Sequence, residues 1–337
     1  LRGSEALGNG LAALFVLENG FFASNGALAQ GGAGFGRQAY VGLQGALGTV
    51  TLGRQYDPML DYLQPLTVTG QWAGSMGAHA DDVDNLSNTN RVNNSIKFRS
   101  VSYRGFSWEG LYSIGGVAGR PTQNQIWSLG AGYSGSWLTM GLGYFNARNP
   151  NVSFYGNTPN KGSSTANNIG TFGSTTTGES IPAYAGFASA ETLSIAGAAL
   201  RITMGDAQAG AVATRTQFDS LGSQSGPNPL GYSGNVAFNS FEINGDYRIT
   251  PALLVGVGVN YTKRSPVNGD NGARYQQAEV GTVYSLSKRT DLYAICVYQH
   301  ASGRDSLAQE AVASINGFSP SSRDEQTAMR VAVRHKF

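Results

Sequence analysis

The segment FEINGDYRITPALLVGVGVNYT, residues 241–262, leaves the backbone little choice. Phe241, Ile243, Gly245 and Tyr247 fall on one side of a strict alternation, and Glu242, Asn244, Asp246 and Arg248 on the other. After Thr250-Pro251 the alternation resumes, with Val255, Val257, Val259 and Tyr261 set against Gly256, Gly258 and Asn260. Successive side chains of a strand point to opposite faces, so this is two strands joined by a tight turn, each with one apolar face. WSLGAGYSGSWLTMGLGYF at 127–145 repeats the plan, with Leu129, Ala131 and Tyr133, then Leu138, Met140, Leu142 and Tyr144, opposed by Gly, Ser and Thr.

The same unit recurs along the chain: a strand, a short turn, a second strand, then a longer polar loop. Hairpins are expected near 1–18, 36–56, 91–114, 125–147, 191–218, 237–263 and 273–302, with a single strand at 325–337. That is fifteen strands of an all-β chain with short turns at one end and long loops at the other, the pattern of a transmembrane antiparallel β-barrel. Only 13% of residues are charged, about half the usual share of roughly 25%, and 47 are glycine. Such a composition suits an outer surface that meets lipid. Membrane helices are excluded, since the longest apolar run, 252–259, falls far short of the roughly 18 residues a helix needs. Bacterial single-chain barrels have even strand numbers, so a complete barrel of sixteen is expected, with residues 1–337 forming one domain that lacks the first strand. Two stretches stay open. TDLYAICVYQH, at 290–300, is apolar on both faces, and the Ala/Gly-rich stretch 194–213 reads as a hairpin mainly through its turn TMGDA.

Charge and motifs exclude several classes of function. A net charge of +2 without basic runs gives no nucleic-acid partner. One cysteine, Cys296, rules out an internal disulfide framework, and His79, His300 and His335 match no metal-ligand spacing. GGAGFG at 31–36 lacks the Lys-Ser/Thr of a phosphate loop. No cofactor, metal site or enzyme activity is expected. A barrel enzyme would need a Ser-His or acidic constellation near one rim, and the sequence offers no such signal.

RGSEALGNGL, GRQAYVGLQGALGTVTLGRQYDP, NRVNNSIKFRS, YSLSKRTDLYA and the terminal RHKF, spread from residue 1 to residue 337, resemble the Gram-negative general porins of the β-proteobacterial type. The resemblance implies a sixteen-stranded barrel in the bacterial outer membrane, surrounded by its lipid and lipopolysaccharide. It also implies a homotrimer and passive diffusion of small hydrophilic solutes and ions. It reads the ending MRVAVRHKF as the signal for the outer-membrane assembly machinery, carried by Val331, Val333 and Phe337. The apolar face would meet lipid, Phe337 would join the interfacial aromatic girdle, and Arg330, Arg334 and Lys336 would face water inside. Tyr103, Trp108, Tyr112, Tyr133, Tyr144, Tyr247, Tyr261 and Tyr284 fit the same aromatic belts.

An empty barrel of this size would be an unselective channel, so a constriction is needed. Residues 57–90 are the candidate: too long for an ordinary loop, without Lys or Arg, and carrying Asp57, Asp61, Asp81, Asp82 and Asp84. In the family the third external loop folds into the barrel, and this segment occupies its place. The loops near 148–190 and 219–235 read as external. The next strand puts Arg91, Lys97 and Arg99 on the face opposite Val92, Ile96 and Phe98, and Arg37 resembles another of the family's constriction arginines. Arg54 and Arg2 are lesser candidates for the same wall, since either position lies close to a rim. The expectation is a wall of Arg and Lys facing a loop of Asp, with a transverse field across a polar gap and weak anion selectivity. The alternative is a substrate-specific channel with a saturable site for an organic acid or sugar.

Overall fold

The structure, a computed structural model, describes residues 1–158, 167–174, 181–224 and 226–336. Fifteen strands form one antiparallel sheet in which each pairs with its neighbours in sequence. They are β1 (Arg2–Gly8), β2 (Leu11–Glu18), β3 (Gln38–Gly45), β4 (Gly48–Gln55), β5 (Val92–Ser100), β6 (Phe106–Ser113), β7 (Ile126–Ser134) and β8 (Leu138–Arg148). There follow β9 (Thr192–Met204), β10 (Ala207–Leu221), β11 (Gly234–Thr250), β12 (Leu253–Arg264), β13 (Ala273–Ser285), β14 (Thr290–Gly303) and β15 (Glu325–His335). Every expected hairpin is present, with ends within a few residues of those read from the alternation. The first shows why: Asn9 and Gly10, with φ of 51° and 77°, adopt the doubly positive geometry whose twist matches two antiparallel strands. No helix among the described residues is long and apolar enough to cross a membrane.

Alternation sorts the side chains into two environments. Outward residues such as Val331 (80% exposed), Met329, Val333, Ile243 and Leu142 stand bare. Bare aliphatic side chains on strand after strand mark a surface made for lipid rather than water. Val331 and Val333 belong to this face, whereas Phe337 lies outside the described residues. From β6 onward the opposite face is largely buried, by residues 57–90 together with 181–190 and 305–315. A segment the length of 57–90 touches β5, β6 to β9, β10, β11 and β13 to β15 only because the sheet curls around it.

The inserted segment begins with α1 (Pro58–Leu63), capped by Asp57, whose carboxylate accepts the Leu60 N–H at 3.1 Å. Short helical turns at 64–66, 69–73 and 74–77 carry the chain across the lumen. It lies against a track of inward glycines. A Cβ on Gly143 would stand 2.7 Å from Met59, and one on Gly256 would stand 2.3 Å from the Trp72 ring. The polar-looking Gly positions of the alternation are therefore a packing surface for the loop. The doubly apolar strand 290–300 has the same explanation. Leu292 and Tyr298 face outward, while Ile295 and Val297 pack inward with Val68, Trp72 and Met76. Residues 194–213 form the hairpin β9–β10, turning at Gly205.

Candidate functional site

The basic residues named from the sequence split into two groups. Arg37 and Arg91 flank the ring of Tyr56, with their guanidinium carbons 5.9 and 5.8 Å from its centroid. Arg54 lies close by, its Nε donating to the Gly36 carbonyl at 2.8 Å and one terminal nitrogen to Asn93 at 2.5 Å. Among the described residues one carboxylate forms a salt bridge with these three cations, Glu18, which accepts from Arg37 Nε at 2.7 Å and from Gln38 at 2.9 Å, while the buried Asp82 acts on Arg91 from the loop. Arg91 is 8% exposed and donates to the Thr89 carbonyl at 3.0 Å, but its Nε has no acceptor among the described residues. Arg54 and Arg91 line a cavity of about 960 Å³ with Asn90, Asn93, Tyr155 and Phe172.

Lys97 and Arg99 are differently placed. Lys97 Nζ pairs with Asp61 and with Glu109 at 2.9 Å, and it also donates to the Tyr56 carbonyl at 3.1 Å. Arg99 Nε meets the same Glu109 at 3.0 Å. Two cations and two carboxylates cancel locally, so this part of the wall adds little net field. Lys97, held inside the barrel, ties the inserted loop to β5 through Asp61.

The acidic side differs from a row of carboxylates facing water. Asp57, Asp81, Asp82 and Asp84 are buried, and each is spent on holding the loop in shape. Asp82 accepts from the Ser87 N–H (2.7 Å), the Thr89 N–H (3.0 Å) and the Thr89 hydroxyl (2.6 Å). Asp81 accepts from Ser314 at 2.5 Å and from the Ala183 N–H at 3.1 Å, which links the loop to two others. Burial pushes Asp57 and Asp81 up to about 6. Burial, reinforced by the charge of Asp84, pushes Asp82 up to about 7. Asp61 alone among the five keeps appreciable exposure, with a quarter of its side chain open. A loop without Lys or Arg has to bury some of its carboxylates when it is packed inside a barrel, and backbone N–H groups are the donors nearest to hand.

His79 sits at the far end of the loop. Its Nδ1 is 2.6 Å from Asp84 and its Nε2 3.4 Å from Glu242 of β11. Asp84 also accepts from Thr214 of β10 at 2.6 Å, and Glu242 accepts the Val68 N–H at 2.9 Å. Burial alone would lower His79, but the two carboxylates raise it well above its ordinary value. Burial would raise Asp84, and the imidazolium beside it holds it below the carboxylate range instead. No group of His, Cys, Asp and Glu among the described residues has the arrangement to hold a metal.

The arrangement is a barrel whose interior is narrowed by its own inserted loop and keeps a polar, cation-lined space beside β3 to β5. Comparison with known proteins agrees in sequence: residues 1–304 match the family of Gram-negative porins. The chain belongs to the Gram-negative porin family. An outer membrane porin protein of Bordetella pertussis is 40% identical over 115 residues, a match spanning 34% of this chain and 29% of that protein. The fold is that of an anion-selective porin from Comamonas acidovorans, with a TM-score of 0.68 at 19% identity over 100% of this chain and 88% of the other. A trimer form of OmpT from Vibrio cholerae superposes with a TM-score of 0.61 at 13% identity, covering 99% and 89%. As a porin, the chain is an outer-membrane β-barrel, and its bare aliphatic face is the lipid face.

Sequence reasoning passed over Glu18, Glu109, Tyr56 and the pairing of His79 with Glu242. Glu109 was detectable in principle. In FSWEGLYS it shares its face with Ser107, opposite Phe106 and Trp108, and a lumen-facing carboxylate beside inward Lys97 and Arg99 is a natural partner. His79 carried no such signal, because its partner lies 163 residues away.

Proposed function

We propose that the chain forms a water-filled channel for passive diffusion of small hydrophilic solutes and ions, weakly anion-selective, with residues 57–90 as its constriction and a homotrimer as its assembled state. The observation that carries the selectivity is the grouping of Arg37, Arg54 and Arg91 around Tyr56, where among the described residues Glu18, paired with Arg37, is the one carboxylate in a salt bridge with any of them and the buried Asp82 acts on Arg91 from the loop. Uncompensated guanidinium groups beside a narrow polar space raise the local anion concentration. Lys97 and Arg99, matched by Asp61 and Glu109, contribute positioning more than field. The five aspartates oppose anion entry weakly, because four are withdrawn from the water. The anion selectivity named for the Comamonas porin and the trimer form named for OmpT support the reading. Val331 and Val333, on the lipid face, fit a terminal strand presented to the assembly machinery.

The test is conductance in a planar bilayer under a salt gradient. Stepwise openings in threes with a reversal potential on the anion side are expected. A cation-side reversal would refute the role of the arginine group, and a correctly folded barrel without conductance would refute the channel. Conductance that saturates with, or is blocked by, one organic acid or sugar would replace general diffusion with a substrate-specific channel.

A further inference from the structure

Tyr56 stands at the joint between wall and loop. β4 ends at Gln55 and α1 begins at Pro58, and the residue before a proline is held extended, as Asp57 is at φ −82° and ψ 154°. The joint is pinned on both sides. Gln55 donates to Ser95 Oγ of β5 at 3.2 Å, Lys97 Nζ donates to the Tyr56 carbonyl at 3.1 Å, and Asp57 caps α1. The backbone therefore gives the Tyr56 ring a fixed origin. Its hydroxyl is buried beside the guanidinium groups of Arg37 and Arg91 but forms no hydrogen bond among the described residues.

Those two cations share the ring, 5.9 and 5.8 Å from its centroid. They enter from different places, Arg37 just before β3 and Arg91 just before β5. Arg54 needs no ring, since the Gly36 carbonyl and Asn93 hold it from two sides. Arg91 has the Thr89 carbonyl alone as a hydrogen-bond acceptor among the described residues, and its Nε is left over. Each of the ring's two cations also has a carboxylate that draws on it, Glu18 on Arg37 and the buried Asp82 on Arg91. An aromatic face, negative at its centre, attracts a cation without cancelling its charge. Tyr56 thus competes with both carboxylates, and it offsets part of the repulsion between the two like charges gathered on it.

We propose that Tyr56 is the positioning residue of the selectivity site: its ring fixes where Arg37 and Arg91 carry their charge and keeps that charge from collapsing onto Glu18 and Asp82, so that it stays available to a passing anion. The proposal rests on the anion-selective reading above and names the residue that makes its cations effective. Because the hydroxyl makes no hydrogen bond, the role belongs to the ring. Phenylalanine can fill it, whereas leucine would occupy the space and hold neither cation.

The test is the reversal potential of the reconstituted channel under a KCl gradient, for the wild type, Tyr56→Leu, Tyr56→Phe, and Tyr56→Leu added to Arg37→Gln/Arg91→Gln. Tyr56→Leu is expected to lower the anion-to-cation permeability ratio by about 1.5-fold or more at about 0.1 M salt. That loss is expected to shrink near about 1 M, where charges are screened within about 3 Å. Tyr56→Phe is expected to restore the wild-type ratio. In the background that lacks both arginines, Tyr56→Leu is expected to change the ratio no further, an outcome that a purely structural role would not give. A wild-type ratio in Tyr56→Leu would overturn the proposal. So would a loss of equal size at both salt concentrations, a loss in Tyr56→Phe as large as in Tyr56→Leu, or a further loss in the arginine-free background. These four results leave the anion-selective reading standing, whereas a cation-side reversal in the wild type would refute that reading and this proposal with it.

Discussion

The lumen has two unlike halves. Beside β6 to β13 the inserted loop is seated in a dry interface, where Met59, Leu63 and Trp72 lie on inward glycines and a buried imidazole is clasped by two carboxylates. Beside β3 to β5 the loop touches the wall through ions, and the cavity bounded by Arg54 and Arg91 stays open. The same segment builds both. Where its face is apolar it seals the barrel, and where its face is polar it leaves room for water. In the channel proposed above, the path for solute would be set as much by which wall carries glycine as by where the charges stand.

Each half can be broken separately. The largest effect is expected from Trp72→Ala, which removes the side chain that fills the space over Gly256 and Gly281. A loss of about 3–5 kcal/mol in loop anchoring is expected, read as rapid protease cleavage within residues 57–90 while the strands stay protected. Next comes His79→Gln, which leaves Asp84 and Glu242 without their buried cation. Roughly 3 kcal/mol is expected, read as faster amide exchange at 64–84, and an unchanged exchange rate would show that the ion pairs are dispensable to the dry half.

The wet half should respond in conductance rather than stability. Arg54→Gln with Arg91→Gln is expected to reduce the anion-to-cation permeability ratio by a factor of about 2 or more, with little effect on unfolding. The same double change made at Lys97 and Arg99 would free Asp61 and Glu109 and push selectivity further toward cations. Equal effects from the two pairs would erase the distinction between compensated and uncompensated cations.

The smallest effect is that of pH, and its sign follows from the buried groups. Asp57, Asp81 and Asp82 are raised above 3.8, so their contribution to loop anchoring is full below that value and is lost as pH climbs through about 6 to 7. His79, also raised, contributes fully below 6.5 and loses its contribution as pH rises through its elevated value. Asp84 is lowered and acts the other way, losing its contribution only in strong acid. Protection of the loop amides, taken relative to their intrinsic exchange rate at each pH, should be greatest near about pH 4 and lower at about pH 9, and Asp82→Asn should flatten the neutral part of the profile.

The strands were legible because lipid outside and polar contacts inside enforce a period of two, and the turns carry their own residue signals, as at Asn9-Gly10. The inserted loop was legible as an oddity of length and charge. Its interior was not. Inward glycines look identical whether they face water or a tryptophan, and nothing local in Asp81 or Asp84 says whether its partner will be a solute, a backbone N–H or a histidine. Lys97 and Arg99 were found as cations on the inward face, but their neutralisation depends on Glu109 of the neighbouring strand, and so on register.

Because each strand pairs only with its neighbours in sequence, the sheet can grow hairpin by hairpin with short chain closures. The inserted loop cannot. Gln277 donates to the Ala78 carbonyl across 199 residues, and Ser314 to Asp81 across 233. Most of the wall must exist before residues 64–84 have anywhere to settle. Until then Val68, Trp72 and Met76 have no cover, so docking of the loop is expected late in folding, after a stage in which the barrel's bore is wider.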